Sequence, residues 1–245
     1  MSLTKNKKVK DRMPVALDTI DNKVVYYTPD KTQGDTVFMT DGKFEPYPRG
    51  NEIVYITGRR GAGKSYLANI YLNNYYRAHK GKMRLFVISR FKEGEDTSLQ
   101  LPERSMFLHP SDLIKGDLEL GDFANSVMLF DDIYDSSMDV REKKMVHSLL
   151  TDACENSRKM NIDIVITSHI PTDGLKTRHL LNEISSMVIF PQFSNEKQIR
   201  FVLKEYLSMK KDQIEFIMND TNTRWIQIST LKPKFILTEG LIALY

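Results

Sequence analysis

The stretch that decides the fold of this 245-residue chain is Glu52-Ile53-Val54-Tyr55-Ile56-Thr57-Gly58-Arg59-Arg60-Gly61-Ala62-Gly63-Lys64-Ser65. Its first half is a β-prone apolar run, and its second half matches G-x-x-x-x-G-K-[ST], the pattern of a phosphate-binding loop. In such a loop the glycines let backbone N–H groups turn toward the phosphates. We expect Lys64 to place its charge on the outer phosphates and the Ser65 hydroxyl to ligate Mg²⁺. Tyr66, the next residue, is also predicted to contact the nucleotide.

The sequence on either side of this loop agrees with that interpretation. A strand precedes it, and residues 65–79 are predicted to form a helix that ends at Gly81. Apolar side chains recur on one face of the predicted helix at Leu67, Ile70, Tyr71 and Tyr75. The positive end of the helix dipole would then lie at the phosphates. A glycine turn without a chemical role is the alternative.

The composition excludes several classes of protein. A hydrophobic fraction of 41% and a charged fraction of 27% are typical of a soluble globular chain with one α/β core and a small appendage. The formal charge of +3 is too small to predict nucleic-acid binding by itself. The single cysteine, Cys154, excludes an intrachain disulfide, suits a reducing cytoplasmic compartment and is expected to be buried. We expect neither a signal peptide nor a membrane span, because no apolar run approaches the required length.

Four regions are predicted along the chain. Residues 1–12 carry five cations against one acid and are expected to form a mobile basic arm, which would either contact nucleic-acid phosphates or remain a solvated tail. Residues 13–50 are predicted to form an N-terminal strand-and-turn segment, and residues 51–191 are predicted to form the nucleotide-binding core. Residues 192–245 should form a helical pair followed by terminal strands.

A second motif follows the phosphate loop at residues 126–132. Four apolar residues lead into Asp131 and Asp132, as expected of a Walker B strand that carries its carboxylates to the edge of the sheet. There Asp131 can hold Mg²⁺ through water, and Asp132 can orient the attacking water. Apolar strands also often end in acidic turns, which is the alternative.

Four further features accompany these motifs. The strand at residues 162–169 ends in Ser168 and His169, where ATPases that insert a strand between the two Walker strands place a γ-phosphate sensor; capping or turn residues are the alternative. The predicted helix at residues 140–158 ends in Arg158, which suits a helix C-terminus. Arg178 lies near the start of the next helix and is compatible with an ordinary surface charge. The aperiodic residues 90–103 are predicted to form a loop on the nucleotide edge of the sheet.

In this order the motifs from Asn51 to Pro191 resemble the FtsK–HerA superfamily of P-loop motor ATPases, and within it the poxvirus-type genome-packaging ATPases of large double-stranded DNA viruses and virophages. The resemblance implies an α/β P-loop NTPase of the RecA-like/ASCE type. Such a fold has a mostly parallel central sheet flanked by helices, here with a short N-terminal β preface and a small C-terminal helix-plus-strand extension.

The resemblance also implies roles for individual residues. Lys64 and Ser65 would bind the phosphates and Mg²⁺, and Asp131 would hold the metal. Asp132 stands where the superfamily usually has a catalytic glutamate, and His169 stands where many members have a glutamine sensor. Arg158 and Arg178 match basic positions from which members supply charge to the phosphates of a neighbouring subunit.

The implied activity is hydrolysis of ATP with Mg²⁺, by a homo-oligomeric ring that moves double-stranded DNA through backbone contacts without sequence preference. A capsid vertex or portal component is an implied partner, and a virus factory or virion the implied location. The basic arm and the loop with Arg90 and Lys92 are candidates for DNA contact. Two other classes stay open: a nucleoside or nucleotide kinase, for which no arginine-rich lid is evident, and a non-motor assembly or export NTPase, for which a membrane segment would be expected.

Overall fold

The structure is a computed structural model that describes residues 2–5, 11–29, 37–102, 105–132, 138–220 and 223–245. In chain order its strands are β1 (Ser2–Thr4), β2 (Met13–Asp18), β3 (Lys23–Thr28), β4 (Val37–Met39), β5 (Phe44–Pro46), β6 (Ile53–Thr57), β7 (Arg84–Ile88), β8 (Ser105–Leu108), β9 (Ser126–Phe130), β10 (Ile162–Ser168), β11 (Ser186–Ile189), β12 (Ile226–Ser229), β13 (Phe235–Leu237) and β14 (Leu241–Leu244). The helices are α1 (Lys64–Ala78), α2 (Pro110–Lys115), α3 (Val140–Met160), α4 (Leu175–Glu183), α5 (Glu196–Glu205) and α6 (Lys211–Glu215). The chain divides into two compact units, residues 50–184 and residues 1–49 with 185–245.

The unit of residues 50–184 is built on a parallel sheet with the strand order β6-β10-β9-β7-β8. Every residue of β6, β9 and β10 is buried. Continuous apolar strands of this kind are typical of a parallel sheet covered on both faces. The predicted α/β class and the mostly parallel sheet are confirmed, and β10 does lie between the strands that carry the two nucleotide motifs.

Helices α1 and α3 pack on this sheet. Helix α1 contacts β6 and β10 through a buried face that includes Leu67, Tyr71 and Tyr75. Helix α3 contacts β10 and begins with a reciprocal cap, in which the Asp139 carboxylate accepts from the Glu142 N–H and the Glu142 carboxylate accepts from the Asp139 N–H. Both helices therefore cover β10.

The other unit contains antiparallel strands and the last helices. Strands β1, β3, β2 and β5 form a four-stranded sheet, and β11, β12, β13, β14 and β4 pair antiparallel in that order. Helices α5 and α6 lie in the region where a helical pair was predicted. The predicted terminal strands are present as β12 and β13, and β14 adds a third that the periodicity missed.

The expectation of a mobile arm is wrong for residues 2–5. Strand β1 pairs with β3, and Ser2 and Leu3 are buried. The Lys5 ammonium then binds the carboxylates of Asp18 at 2.8 Å and Asp21 at 3.0 Å. Partner strands, which the local charge pattern cannot reveal, order this segment. Residues 6–10 of the expected arm lie outside the described residues.

Two compositional expectations can be compared with the structure. Cys154 is buried on α3, and burial raises the pKa of its thiol to about 12. In the described part of the chain, no helix combines the length and the apolar character needed to cross a membrane.

Candidate active site

The glycine loop connects the end of β6 to the start of α1. The Gly58 N–H donates to the Ser168 carbonyl oxygen at 3.1 Å, which ties the loop to the end of β10. Gly61 and Gly63 adopt φ values of +78° and +108°, a region that L side chains rarely occupy. A Cβ added at Gly61 would have open space around it, so backbone conformation and not crowding requires glycine there. The two glycines therefore shape the loop that leads into Lys64.

The Lys64 side chain crosses from the loop to the ends of the neighbouring strands. Its ammonium lies 3.0 Å from His169 Nδ1 and 3.9 Å from Asp132 Oδ1, and the side chain is only 7% exposed. Burial lowers the pKa of Lys64, against the opposing charges of Asp132, Asp131 and Asp96. The structure thus brings the phosphate-loop lysine together with the acidic end of β9 and the polar end of β10.

The Asp131 carboxylate is buried and held by two hydroxyl groups. Oδ1 accepts from the Thr167 hydroxyl at 2.7 Å, and Oδ2 accepts from the Ser89 hydroxyl at 3.2 Å. Burial raises the pKa of Asp131 to about 6, with like charges on Asp132 and Asp96 adding to the rise and the two hydrogen bonds opposing it. The two hydroxyl groups therefore fix the orientation of this carboxylate, which does not itself line the cleft described below.

Asp132 follows in a strained backbone conformation. Its φ is +46°, and its N–H donates to Thr167 Oγ1 at 2.9 Å. Oδ2 lies 3.1 Å from His169 Nε2, whereas Oδ1 is buried without a hydrogen-bond partner. A buried carboxylate oxygen that lacks a donor is costly, and such costs are typical of functional sites. Asp132 is therefore directed at the Lys64 ammonium and His169 together.

The loop at residues 90–102 lies against the phosphate loop. The Ser65 hydroxyl donates to the Asp96 carboxylate, and the Ser98 N–H donates to Asp96 Oδ1 at 2.9 Å. These hydrogen bonds lower the pKa of Asp96 although partial burial opposes them. The loop predicted at the nucleotide edge of the sheet thus faces the nucleotide motif itself.

Together these segments enclose a cleft of about 390 Å³. Three groups of residues line it: the phosphate loop, the loop after β7, and the ends of β9 and β10. They are Arg60, Gly61, Gly63, Lys64, Ser65, Tyr66, Phe91, Glu95, Asp96, Ser98, Asp132 and His169. Gly58, Arg59 and Ala62, which were also predicted as binding residues, do not line the cleft, and within the loop the Ala62 N–H donates to the Arg59 carbonyl oxygen at 3.1 Å.

Of the two sensor candidates, only His169 faces the cleft. The Ser168 hydroxyl donates to the Ile170 carbonyl oxygen at 3.1 Å and accepts from the Ile170 N–H at 3.3 Å. That pattern is a local turn, which was the alternative for this position.

Arg158 and Arg178 are exposed and lie outside the lining of the cleft. Helix α3 starts at the phosphate edge of the sheet and ends beside the start of β9, where the Asn125 N–H donates to the Met160 carbonyl oxygen. Arg158 is therefore about 27 Å along the helix from Val140, at the far edge of the sheet. Arg178 is in the first turns of α4, on the phosphate side of β10. Neither arginine lines the cleft of its own chain.

Sequence reasoning missed three polar groups of the site. Ser89 follows β7 and Thr167 is the penultimate residue of β10, so a polar residue at the end of a buried strand was the available signal. Asp96 lies in an aperiodic loop and carried no signal.

The residues present fit a magnesium ion. Among the described residues, no group of three or more His, Cys, Asp or Glu side chains could hold a metal by itself. Mg²⁺ instead binds through one or two carboxylates, waters and substrate phosphates. The Ser65 hydroxyl and the oriented Asp131 carboxylate supply a donor set of that kind.

The chain has a sequence relative in a virophage, and solved structures share its fold. No protein-family model matches the chain. It is 32% identical over 244 residues to "Uncharacterized protein V3" of Sputnik virophage, covering 97% of this chain and 96% of the relative.

Solved structures share the fold at low identity. The DNA-packaging ATPase B204 from Sulfolobus Turreted Icosahedral Virus has a TM-score of 0.54 and 15% identity, covering 78% of this chain and 97% of that one. The monomer of TcpA, the pCW3 conjugation coupling protein, has a TM-score of 0.53 and 10% identity, covering 93% of this chain and 76% of that one.

Proposed function

The chain belongs to the same family as protein V3 of Sputnik virophage and has the fold of the FtsK–HerA type of P-loop ATPases, and from this premise we propose that it hydrolyses ATP to translocate double-stranded DNA. The biological task we propose is packaging of a viral genome into a capsid. The products of the reaction would be ADP and phosphate.

One observation carries this proposal: Lys64 and Asp132, which belong to motifs far apart in sequence, lie 3.9 Å apart across the end of β10. An ATPase needs a phosphate-binding lysine and a carboxylate near the attacking water at one point. The cleft that contains both also presents Ser65 and the first turn of α1.

The residues divide the chemical work as follows. The Lys64 ammonium and the loop N–H groups bind the phosphates, and the start of α1 adds its dipole. Ser65 and Asp131 would hold Mg²⁺, which when bound neutralises charge that develops on the phosphates. Thr167 and Ser89 orient Asp131, and Asp132 and His169 face the position of the γ-phosphate.

Two observations support duplex DNA as the proposed substrate. B204 is named as a DNA-packaging ATPase and TcpA as a conjugation coupling protein, and both share this fold. The loop at residues 90–102 lines the cleft through Phe91, Glu95, Asp96 and Ser98 while Lys92 is exposed. We infer that this loop, which lines the cleft and also faces solvent, transmits hydrolysis to a bound DNA backbone.

The test is ATP hydrolysis by the full chain with and without duplex DNA. We expect the wild type to be stimulated by DNA and Lys64→Ala to fall to background, since its ammonium is the buried cation of the cleft. Lys82→Ala is the matched control, because Lys82 is exposed and outside the cleft. Hydrolysis that duplex DNA does not change would refute a DNA motor.

The proposed ring can be tested by mixing inactive variants. Arg178→Ala would supply an intact phosphate loop, and Lys64→Ala would supply an intact Arg178. If Arg178 acts across a subunit boundary, mixing them restores part of the activity. If mixing restores none, while Arg158→Ala with Lys64→Ala does, the boundary residue is Arg158.

A further inference from the structure

The contacts of His169 determine which of its ring nitrogens carries the proton. Nδ1 lies 3.0 Å from the Lys64 ammonium, and Nε2 lies 3.1 Å from Asp132 Oδ2. An ammonium group can only donate, so Nδ1 must accept and is unprotonated. A carboxylate can only accept, so Nε2 must carry the hydrogen. Both contacts are satisfied by one form alone, the neutral Nε2–H tautomer.

This arrangement orients a basic nitrogen toward the phosphate site. The Asp132 carboxylate fixes the ring through Nε2, and the Nδ1 lone pair points to the place that the Lys64 ammonium occupies without nucleotide. Phosphate oxygens are charged acceptors, which form stronger hydrogen bonds to an ammonium than a neutral imidazole does. When Lys64 binds phosphate, the Nδ1 lone pair loses this donor while it still faces the cleft.

We propose that His169, oriented by Asp132, accepts the proton of the attacking water, so that an aspartate–histidine pair replaces a single longer catalytic carboxylate. The inference rests on the proposed ATP hydrolysis. Asp132 is one methylene shorter than glutamate, and its Oδ2 is committed to the ring. The imidazole adds the reach that the shorter side chain lacks.

His169 and Asp132 differ in how far their side chains are exposed to solvent. The His169 side chain is 46% exposed and Asp132 is 23% exposed, and the second carboxylate oxygen of Asp132 is buried. Water in the cleft therefore reaches the ring more readily than the carboxylate. This division, with a less exposed acid that orients and a more exposed base that reacts, is that of other acid–histidine pairs in hydrolases.

The proposed step is balanced as follows. The water oxygen forms a bond to the γ-phosphorus while the bond from that phosphorus to the β–γ bridging oxygen breaks, and ADP takes that electron pair. One water proton passes to His169 Nδ1. The resulting imidazolium donates to the Asp132 carboxylate through Nε2 and later returns its proton to solvent or phosphate.

The charged groups around the ring favour this role once Lys64 is engaged by phosphate. Lys64 faces the ring from α1, and Asp132 faces it from the end of β9. Asp131 and Asp96 act on Lys64 from β9 and from the loop after β7. Of these carboxylates, Asp132 is the one in contact with the ring, and it would stabilise an imidazolium through the hydrogen bond from Nε2.

The kinetic test compares His169→Gln, the double variant Asp132→Glu with His169→Gln, and the control His179→Gln. His179 is an exposed histidine whose Nε2 lies 3.3 Å from the Glu155 carboxylate, so it reproduces the pair away from the cleft. For His169→Gln we expect kcat to fall about 100-fold or more, the size of a lost general base, with the KM for ATP within about threefold of the wild type. The double variant should recover about tenfold over His169→Gln, because a glutamate can reach the water directly.

A second measurement does not depend on activity. In nucleotide-free protein with ¹⁵N-labelled histidine, long-range ¹H–¹⁵N NMR should show His169 as the Nε2–H tautomer, and Asp132→Ala should abolish that preference. A different tautomer in the wild type would overturn the inference, as would a His169→Gln variant that retains the wild-type kcat. Wild-type protein without any ATPase activity would instead refute the proposed function.

Discussion

Replacement of Asp131 by asparagine should stabilise the folded chain while it removes the proposed magnesium ligand. The carboxylate is 6% exposed, and burial with its acidic neighbours raises its pKa from 3.8 to about 6. The unfolded chain releases this proton more readily, so the free energy of unfolding falls as pH rises between these two pKa values. A difference of about 2.2 pKa units at about 1.4 kcal/mol each corresponds to about 3 kcal/mol above pH ~6.

Asparagine is suited to this position because it keeps the local hydrogen bonds. Its Oδ1 can accept from the Thr167 hydroxyl, and its Nδ2 can donate to Ser89 Oγ in place of the bond that Oδ2 accepts. The variant therefore loses the buried charge and little else. We expect the free energy of unfolding without magnesium or nucleotide to rise by about 1–3 kcal/mol at pH 7.5. Each kcal/mol corresponds to roughly 2–4 °C in Tm for a chain of this size.

The assay is denaturant and thermal unfolding between pH 4 and 8, with and without Mg²⁺ and a non-hydrolysable ATP analogue. Asp163→Asn is the matched control. Asp163 is also buried with its pKa raised to about 6, and it lies at the other end of β10, where its Oδ1 accepts from the Glu52 N–H at 2.7 Å. Both variants should be stabilised without ligand, but only Asp131→Asn should lose the stabilisation by magnesium and nucleotide.

The reasoning is refuted if Asp131→Asn is less stable than the wild type without ligand at pH 7.5 while Asp163→Asn is more stable. In that case the hydrogen bonds of the ionised Asp131 would outweigh the cost of its burial. The same conclusion would follow if both variants kept the wild-type dependence of the free energy of unfolding on pH between pH 4 and 6.

Three other predictions concern neighbouring groups. Thr167→Val removes the hydroxyl that donates to the Asp131 carboxylate and accepts from the Asp132 N–H. The free energy of unfolding, measured by denaturation, should fall by about 1–3 kcal/mol. The rate of ATP hydrolysis, measured by phosphate release, should fall about tenfold or more. Tyr71→Phe removes the 2.6 Å donor to the buried Glu52 carboxylate and should cost about 1–3 kcal/mol in the same unfolding assay, with hydrolysis unchanged. Cys154 should resist thiol reagents in the folded chain and react on unfolding, because burial raises the pKa of its thiol to about 12.

The sequence predicted the elements of the core well, because each has a local cause. Continuous apolar runs produced β6, β9 and β10, and a 3.6-residue apolar period produced α1 and α3. The pairing of β1 escaped prediction, since a three-residue strand is ordered by its partner and not by its own composition. Strand β14 was missed for the same reason.

For the candidate site, the sequence by itself determined the glycine loop with Lys64 and Ser65 and the two acids that end a buried strand. These depend on backbone conformation and residue chemistry within a few positions. Only the tertiary structure decided that Asp96 meets Ser65 and that Ser89 and Thr167 share Asp131. It alone placed His169 between Lys64 and Asp132. Such contacts join residues 31–105 positions apart, and the packing of parallel strand ends brings them to one edge, for which a single sequence carries no local pattern.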